Sequence, residues 1–376
     1  FQKMPYSNLH VFRGVPTPIA CKLRRERMEA IGEELGQGEY DIILLQEVHI
    51  SDYELLKQKM SKAIPFSHYF YSGAIGSGLC LFSKVPILET FYHNFPLNGY
   101  AHKIHHGDWF GGKGLGFCRL MFNGIKINLY CAHLHAEYNF QDDEYLAHRV
   151  SQAFDMSQFI KLTSTDDNCD FVIVGGDFNV KPDSLGCQII KSNAQLLDSW
   201  DTKVCLSLIH LWHGFYTGIS VLTEECNVTM GTIPDRKYPF SDHEGVAAIF
   251  SINKNEKCKF WLFDIMLFYL NCTKVRNYQR GRKKASSDCT FYTVLAVMSV
   301  FLLYVISSVD VPYGLGLIRG IVLVLLTLTF GFSIWNRLIL NKMEEHGLIN
   351  TQKDMENYLV DVVFHSIKYY LLLISK

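Results

Sequence analysis

The sequence predicts a layered α/β domain followed by a two-helix membrane hairpin. Across residues 1–252, short apolar segments alternate with amphipathic helical segments, which is typical of sheets and helices packed in layers. Two nearly uncharged stretches then follow, each long enough to cross a hydrocarbon layer of ~30 Å. The length of 376 residues leaves room for a substantial core in the first region.

The elements of the first region can be placed in order. The stretch RRERMEAIGEEL has apolar residues at helical spacing and predicts an amphipathic helix. The stretch YDIILLQEV is a short apolar run that ends in polar residues, as expected for a strand buried on both faces. Three further stretches predict strands, and a long helix, DDEYLAHRVSQAFDMSQFIKLT, separates the last two of them: GSGLCLFSKVPI, GIKINLYCAHLH and CDFVIVGGDFN.

The second region predicts two membrane spans. Residues 290–309 carry no charge, and residues 315–335 carry only Arg319, which lies near one end and could reach the interface. A buried pair of core helices is the alternative interpretation. Six basic residues in 274–284 precede the first span, so the positive-inside rule predicts a multi-pass protein whose N-terminal domain faces the cytoplasm. The same basic segment could serve topology alone or could also hold anionic lipid headgroups.

The charge balance and the cysteines indicate which class of partner and which cellular compartment to expect. The 36 basic and 37 acidic side chains give a net charge of -1, so we expect no nucleic acid partner, since such proteins usually show a clear basic excess. The eleven cysteines are scattered and form no C-x-x-C motif, which indicates reduced thiols in a cytosol-facing protein. Nothing in the sequence indicates an oligomeric state.

Polar clusters mark the ends of the predicted strands. Three strands end in one, and a fourth cluster opens the last strand: Gln46-Glu47, His133-Leu134-His135, Asp177-Phe178-Asn179 and Ser241-Asp242-His243. A sheet whose buried strands end in such side chains can present a site rigidly. Each cluster alone also fits a solvated strand end, a core histidine or a turn. Their combination favours a site.

The residue types of these clusters favour phosphate chemistry. The oxygens of Glu47, Asp177 and Asn179 suit a hard cation, and Mg²⁺ fits best because it takes few protein ligands and keeps several waters. A histidine near such an ion could deprotonate water for attack on a phosphate ester.

The order of the clusters resembles a known family. Q-E-V, H-L-H, G-D-F-N and S-D-H in this order resemble the endonuclease/exonuclease/phosphatase superfamily, which implies a DNase-I-like four-layer α/β sandwich. Longer stretches resemble its two-span, Mg²⁺-dependent neutral sphingomyelinases over about residues 8–250. These stretches are SGAIGSGLCLFSKVPI, LNGYAHKIHHGDWFGGKGLG, HLHAEYNFQDDEYLAHRVSQAF and PFSDHEG.

The resemblance implies a role for each cluster. Glu47 matches the metal-ligand glutamate, and Asp242 matches the acidic residue beside the metal. Asp177 and Asn179 match the pair that holds and orients the scissile phosphate and the attacking water. His133 matches the histidine that binds the phosphate oxygens in the transition state.

The resemblance also implies the reaction. His243 matches the general base, and the substrate would be sphingomyelin or a related choline phospholipid in the bilayer. Sphingomyelin would be hydrolysed to ceramide and phosphocholine at neutral pH with Mg²⁺ as cofactor. The glycine-rich GDWFGGKG could place Trp109 and Phe110 in the headgroup region, or it could be a hairpin turn with a buried Trp109.

Two motifs of the family are missing. Val11-Phe12-Arg13 stand where the family has Asn-Cys-Trp, and Asn8 lies three positions early for a replacement. Residues 199–238 contain no R-I-D-Y strand, whose aspartate orients the catalytic histidine, and Asp235 is a candidate substitute. We therefore expect a sandwich that is incomplete at one strand.

The sequence thus divides into four parts and leaves more than one function open. The parts are a catalytic domain (1–252), a basic juxtamembrane linker (253–289), two transmembrane helices (290–336) and a cytoplasmic tail (337–376). The leading hypothesis is a sphingomyelin phosphodiesterase. The alternatives are a catalytically impaired, membrane-anchored homologue that binds lipid or a partner, and a nuclease of the same superfamily.

Overall fold

The chain has two compact units, and each is built from its own set of elements. The computed structural model describes residues 2–10, 23–139, 141–164, 169–199, 209–215, 220–253, 266–310, 312 and 314–374. One unit comprises Phe1–Gly99 and Ile104–Tyr269, and the other comprises Tyr100–Lys103 and Leu270–Lys376.

Twelve strands and eight α-helices are described. The strands are β1 (Gln2–His10), β2 (Ile42–Gln46), β3 (Phe66–Tyr69), β4 (Cys80–Ser83), β5 (Ile87–Asn94), β6 (Gly114–Phe122), β7 (Ile125–His133), β8 (Phe171–Asp177), β9 (Leu197–Asp198), β10 (Ile209–Phe215), β11 (Ser220–Thr229) and β12 (Gly245–Asn253). The helices are α1 (Arg24–Leu35), α2 (Ile50–Met60), α3 (Asp108–Gly111), α4 (Leu146–Ser164), α5 (Leu185–Asn193), α6 (Met266–Ser308), α7 (Gly316–Trp335) and α8 (Asn341–Ile374).

The strands form two six-stranded sheets. The first has the order β11-β12-β1-β2-β4-β3, and the second has the order β5-β6-β7-β8-β10-β9. Each sheet contains one parallel pair, β1 with β2 and β7 with β8, and the other neighbours are antiparallel. Helix α1 connects the first pair and α4 connects the second. Three of these four parallel strands, β2, β7 and β8, carry a predicted polar cluster at the carboxyl end.

Alternating side chains of β2 divide the core into two layers. Ile42 and Leu44 belong to the cluster between the sheets, together with Leu129 and Ile173 of the second sheet. Ile43 and Leu45 instead belong to the cluster that the first sheet forms with α1 and α2. This period of two places every side chain of β2 in the interior, as the apolar run of its sequence predicts.

The second sheet is covered by α4 and α5. The Asn128 side-chain amide donates to the Thr163 carbonyl over 3.0 Å, and the Tyr130 and Thr163 hydroxyls lie 2.6 Å apart. These bonds join β7 to the end of α4, and α5 packs beside α4. The order helix, sheet, sheet, helix confirms the predicted DNase-I-like four-layer α/β sandwich.

The expected gap in the second sheet is filled. Strand β10 pairs antiparallel with β8 from Ile209 opposite Asp177 to Phe215 opposite Phe171. The backbone of β8 therefore has hydrogen-bonding neighbours on both sides, β7 and β10. The expectation of an incomplete sheet was wrong, because pairing requires an extended segment in register and not the R-I-D-Y sequence.

The second unit contains a packed helical hairpin. The Arg337 guanidinium donates to the Thr293 hydroxyl over 2.6 Å, and the Asn341 amide donates to the Ala285 carbonyl over 2.8 Å. These contacts place α6 antiparallel to α7 and the start of α8. Basic residues 274–284 continue into the first apolar stretch within the single helix α6.

Two helices of this unit are long and apolar enough to cross a membrane. They are Tyr278–Ser308 and Gly316–Tyr358, each with a mean hydropathy of 2.2 in its most apolar part. Only 17% and 6% of the residues in those parts are buried, whereas a core helix of a soluble protein is mostly buried. This exposure favours membrane association.

Candidate active site

Glu47 follows β2 in a left-handed backbone conformation that its neighbours impose. Its φ is 59°, a region that residues other than glycine seldom adopt. The Val48 amide donates to the Gly78 carbonyl over 3.0 Å. A Cβ atom at Gly78 would lie 2.4 Å from the Val48 nitrogen, so only glycine allows this approach. The conformation turns the chain at Glu47 immediately after a buried strand.

His133 and Asp177 lie side by side at the carboxyl ends of β7 and β8. The two residues are register partners in the parallel pair. His133 Nε2 is 3.8 Å from Asp177 Oδ2 and 3.6 Å from Glu47 Oε1. The side chains of His133 and Asp177 are almost fully buried, and that of Glu47 is 17% exposed. The structure thus brings together three of the predicted site residues, with Glu47 the most accessible.

Asn179 joins this cluster through its backbone and its side chain. Its φ is 48°, which makes it the second predicted site residue in the left-handed region. Its backbone amide donates to Asp177 Oδ1 over 3.0 Å, and its side-chain amide donates to the Leu134 carbonyl over 2.9 Å. The G-D-F-N segment is therefore a turn, but one whose polar atoms bind those of the cluster.

Lys113 is a buried cation at the centre of the cluster. Its ammonium lies 2.9 Å from His133 Nε2 and 2.9 Å from the Leu134 carbonyl, and it pairs with Asp108 Oδ1 at 2.7 Å. An ammonium can only donate, so His133 Nε2 accepts this hydrogen bond. Sequence reasoning missed Lys113 and Asp108. The only available signal was a lysine inside the glycine-rich GDWFGGKG.

The Asp108 carboxylate is held ionised by its partners. Burial raises its pKa, but the nearby Lys113 ammonium and His135 outweigh that effect and bring the pKa to about 2. The Tyr138 hydroxyl donates to Asp108 Oδ2 over 2.7 Å, and His135 Nε2 lies 3.4 Å from the same oxygen. The Asp108 carboxylate therefore stays ionised at neutral pH.

A wall of histidine and tyrosine rings lies beside this ion pair. His135 stacks on Tyr145 at a centroid distance of 3.9 Å, and His106 stacks on Tyr138 at 3.8 Å. Burial lowers the pKa of His135 to about 4, against the opposing effect of Asp108, so the ring is neutral at neutral pH.

The predicted aromatic tip of GDWFGGKG is only half-buried. Trp109 and Phe110 belong to α3, and their rings meet edge to face at 5.0 Å. Neither ring is among the exposed large apolar side chains. The segment is a short helix between left-handed glycines, which differs from both the exposed loop and the simple hairpin turn.

Asp242 and His243 lie in a turn just before β12. The Ser241 hydroxyl donates to Asp242 Oδ1 over 3.1 Å and accepts the His243 backbone amide over 3.3 Å. Asp242 is exposed, and His243 is half-buried. The strand-end cluster consists of Glu47, Lys113, His133, Asp177 and Asn179, which lie in direct contact or bind a common neighbour. The position of the turn with Asp242 and His243 follows from the strand order.

Strand order puts the turn at the same edge of the first sheet as Glu47. Val246 of β12 pairs with Asn8 of β1, and Asn8 pairs with Leu44 of β2. Because β12 is antiparallel to β1 and β2, its start lies beside their carboxyl ends. Asn8 is thus inside β1, while Val11-Phe12-Arg13 lies outside the described residues. Asp235 is exposed in a turn at φ 62°.

The donor set of the edge fits a magnesium ion better than a softer metal. Among the described residues, no three or more His, Cys, Asp or Glu side chains form a ready-made metal cage. Mg²⁺ does not need one, because it is usually bound by one or two carboxylates and keeps several waters. Glu47 supplies a partly accessible carboxylate at a fixed backbone position, and Asp242 supplies an exposed one. The residues present therefore fit Mg²⁺.

Comparisons with known proteins agree with this architecture. A model of the Endonuclease/Exonuclease/phosphatase family matches residues 20–243. Sphingomyelin phosphodiesterase 2 of Homo sapiens is 39% identical over 260 residues, which is 61% of this chain and 61% of its own. The Mus musculus protein of the same name is 40% identical over 260 residues, 61% of this chain and 62% of its own. The chain thus spans about three fifths of both mammalian relatives.

A relative from Caenorhabditis elegans, of the neutral sphingomyelinase type, is 33% identical over 390 residues, which is 92% of this chain and 88% of its own.

Solved structures share the fold. Humanized D. rerio TDP2 has a TM-score of 0.53 at 18% identity and covers 66% of this chain and 99% of its own. SmcL has a TM-score of 0.51 at 17% identity, with the same coverage.

The family match, the extent of the nematode relative and the shared sandwich all agree with the strand-end cluster. The chain belongs to the endonuclease/exonuclease/phosphatase family and resembles its neutral sphingomyelinases.

Proposed function

We propose that the protein is a magnesium-dependent phosphodiesterase that hydrolyses sphingomyelin to ceramide and phosphocholine at neutral pH. The carrying observation is the arrangement around His133 Nε2, which has an ammonium at 2.9 Å and two carboxylates at 3.6 and 3.8 Å. The substrate assignment is supported by relatives named sphingomyelin phosphodiesterase 2.

The strand-end cluster suits recognition of the phosphate. The Lys113 ammonium fixes the His133 ring at the end of β7, and a bound Mg²⁺ would offset the nearby carboxylates and the negative charge that the phosphodiester oxygens gain in the transition state. Asp177 receives the Asn179 backbone amide, and Asn179 is fixed by the Leu134 carbonyl, so both are preorganised. These side chains would orient the scissile phosphate and the attacking water.

The general base is assigned to His243 and not to His133. His133 Nε2 already accepts from the Lys113 ammonium, so it is a poor acceptor for a proton from water. His243 is half-buried in a turn at the same edge and can meet a water molecule. The water oxygen bonds to phosphorus as its proton passes to His243. The bond from phosphorus to the ceramide oxygen breaks, and that oxygen takes up a proton.

Glu47 and Asp242 would hold the metal ion. When bound, Mg²⁺ supplies positive charge beside the phosphate oxygens and favours ionisation of water. A staphylococcal beta toxin with bound magnesium ions has the same fold, with a TM-score of 0.50 at 17% identity. The partly accessible Glu47 carboxylate supports its assignment as a ligand.

Release of phosphocholine by the full-length protein tests this function. Purified protein should release choline-labelled product from sphingomyelin vesicles with Mg²⁺, and should lose turnover in EDTA and in His243→Ala by about 10²–10⁴-fold. His346→Ala, at an exposed histidine of α8, is the matched control. Parallel assays with lysophospholipid vesicles and plasmid DNA distinguish the other substrates. No turnover on any choline phospholipid would reject the proposal.

A second candidate function, lipid binding without turnover, is favoured by one observation. The family's Asn-Cys-Trp and R-I-D-Y motifs are absent from the sequence, and residues 11–13 and 201–208 lie outside the described residues. An impaired homologue would bind sphingomyelin vesicles equally with and without Mg²⁺ and release no phosphocholine. Robust turnover would exclude it.

The membrane arrangement belongs to the same proposal. The catalytic domain (1–252) and the tail (337–376) face the cytoplasm, residues 253–289 link the domain to the bilayer, and two helices within 290–336 cross it. Exposed apolar helices and the basic residues before the first span support this topology. Anchoring beside a lipid substrate raises its effective concentration. In a protease-protection assay on sealed microsomes, protease added on the cytoplasmic side should digest both termini.

A further inference from the structure

Three hydroxyl groups bond to the two peptide groups that precede the buried lysine of the strand-end cluster. The Tyr92 hydroxyl donates to the Gly112 carbonyl over 2.7 Å, and the Ser72 hydroxyl lies 3.0 Å from the Gly111 carbonyl. Ser77 joins the two, because its Oγ lies 3.1 Å from the Tyr92 hydroxyl and 2.9 Å from Ser72 Oγ. These three side chains form a hydroxyl network.

The proton of each hydroxyl has a defined direction in this network. A hydroxyl carries one proton, so Tyr92, which gives its proton to the Gly112 carbonyl, can only accept from Ser77. The Ser72 oxygen also accepts the backbone amide of Ser77 over 2.9 Å. Burial raises the pKa of Tyr92 to about 12, so its hydroxyl remains a donor at neutral pH. The network can therefore hold the Gly112 carbonyl under the conditions of the proposed reaction.

The backbone around the network is packed too closely for additional side chains. A Cβ atom at Gly73 would lie 2.3 Å from the Phe110 carbonyl oxygen, and one at Gly112 would lie 2.7 Å from the Gly73 nitrogen. The Ala74 amide donates to the same Phe110 carbonyl over 2.7 Å. Residues 72–77 thus pack directly on the end of α3, and the hydroxyl network is the side-chain part of this contact.

Lys113 directly follows the backbone that the network holds. Its carbonyl accepts the Phe95 amide over 3.2 Å, and its ammonium lies 2.7 Å from Asp108 Oδ1 and 2.9 Å from His133 Nε2. The stem of a lysine is flexible, so the position of its ammonium depends on where the backbone starts it. A rotation of the Gly112 peptide group would therefore move the ammonium away from the His133 ring.

We propose that Tyr92, supported by Ser77 and Ser72, is a positioning residue that fixes Lys113 and, through it, the His133 ring. The hydroxyls act through the backbone and not on the substrate. The effect on catalysis rests on the proposed phosphodiesterase function, whereas the position of Lys113 can be measured without turnover. If Tyr92 served stability alone, losing its hydroxyl would change neither the accessibility of Lys113 nor the kcat of the folded protein.

Lysine acetylation tests the position of Lys113. Full-length protein in detergent micelles is treated with sulfo-NHS-acetate, and the rate at each lysine is followed by mass spectrometry. Lys113 is 5% exposed and should react slowly, and the exposed Lys57 serves as the internal reference. Tyr92→Phe should raise the relative rate at Lys113 about fivefold or more, because the buried Gly112 carbonyl loses its donor.

Tyr130→Phe is the matched control for this experiment. It also removes a buried tyrosine hydroxyl, which lies 2.6 Å from Thr163 Oγ1 and 2.9 Å from Ser164 Oγ. Tyr130 and His133 are three positions apart in β7 and point to opposite faces of the sheet. The rate at Lys113 should therefore stay unchanged in this control. An unchanged rate in Tyr92→Phe as well would overturn the proposal.

Steady-state kinetics test the effect on catalysis. With sphingomyelin in mixed micelles and Mg²⁺, Tyr92→Phe should lower kcat about tenfold and keep KM within about twofold, because a misplaced group mainly destabilises the transition state. Ser72→Ala should lower kcat less, and Ser72→Thr, which keeps a hydroxyl, should restore it. Tyr130→Phe should keep the kcat of the unmodified protein. Equal losses of kcat in Tyr92→Phe and Tyr130→Phe would reject a positioning role.

The two measurements separate this proposal from the proposed function. If the protein hydrolyses no choline phospholipid, the phosphodiesterase proposal fails, and acetylation of Lys113 still decides the role of Tyr92. If turnover is present and Tyr92→Phe changes neither kcat nor the acetylation of Lys113, the positioning role alone is rejected.

Discussion

The two halves of the candidate site are held in opposite ways. The strand-end cluster is buried: Lys113, His133 and Asp177 are each no more than 5% exposed, and an ion pair fixes the lysine to Asp108. The turn that carries Asp242 and His243 is instead exposed or half-buried, and Ser241 forms hydrogen bonds with both residues.

This difference separates positioning from proton transfer. A group that must recognise developing charge gains from a fixed, water-poor setting, because its dipoles need no reorganisation during the reaction. A group that takes a proton from water must be reachable by that water. Changes in the buried half should therefore affect stability and activity together, whereas changes in the turn should affect activity alone.

The largest effect is expected for Lys113→Met. It leaves the Asp108 carboxylate buried beside no cation, which should lower the free energy of unfolding by about 3–5 kcal/mol and abolish turnover. Chemical denaturation of the full-length protein measures the first effect. The control is Lys84→Met, which breaks the more exposed pair with Asp41 and should cost at most about 1 kcal/mol. Equal costs for the two variants would contradict a distinct buried half.

The second-largest effect is expected in the exposed turn that carries Asp242 and His243. His243→Ala should reduce turnover by about 10²–10⁴-fold and change the free energy of unfolding by no more than about 0.5 kcal/mol. His133→Ala should reduce both, because its ring is buried and receives the Lys113 ammonium. A turn variant that unfolds as readily as His133→Ala would show that the two halves are not held differently.

A smaller effect is expected where the buried half meets Glu47. Gly78→Ala adds a Cβ 2.6 Å from the Glu47 carbonyl carbon at a φ of 68°, which should cost about 1–3 kcal/mol of stability and shift Glu47. The concentration of Mg²⁺ that gives half-maximal turnover should rise. Gly231→Ala is the control, because its Cβ would meet only Glu244 Oε1, at 3.7 Å. An unchanged Mg²⁺ requirement in Gly78→Ala would remove Glu47 from the metal assignment.

The sequence predicted the part of the site that depends on strand ends. His133 and Asp177 end two neighbouring parallel strands of the second sheet, and Glu47 follows β2 of the first sheet, which packs against both strands. Lys113 could not be placed this way. The Asn123-Gly124 turn sets the register of the β6–β7 hairpin, with Leu115 opposite Ala132, but this register alone does not show that Lys113, one residue before β6, contacts the ring of His133.

Strand β10 was likewise not expected from the sequence. Residues 209–215 match no motif of the family, yet β10 pairs with β8 over seven positions. Pairing depends on backbone geometry and on an available neighbour, so a missing motif is weak ground for a missing strand. Similarly, the glycines around α3 predicted a turn but not its contacts. In the structure, the Phe110 carbonyl accepts the Ala74 amide over 2.7 Å.

The smallest expected effect is the pH dependence that His135 gives to the buried half. Burial holds the pKa of His135 near 4 in the folded protein, whereas an unfolded chain protonates histidine near 6.5. Between these values the unfolded state binds the extra proton, so this contribution to stability is full above pH 6.5 and is lost as the pH falls towards 4. The slope should reach at most roughly 1.4 kcal/mol per pH unit.

Asp108 affects the free energy of unfolding in a lower pH range than His135 does, so the two contributions can be measured separately. Its pKa of about 2 lies below the usual 3.8, so its contribution is lost only below pH 3.8. Unfolding free energies of His135→Gln should therefore fall less steeply between pH 6.5 and 4 than those of the unmodified protein. His346→Gln, at the exposed histidine, should leave the slope unchanged. Parallel curves for the unmodified protein and His135→Gln would mean that the ring beside Asp108 takes up its proton without cost, and that this part of the site is less enclosed than the strand-end cluster.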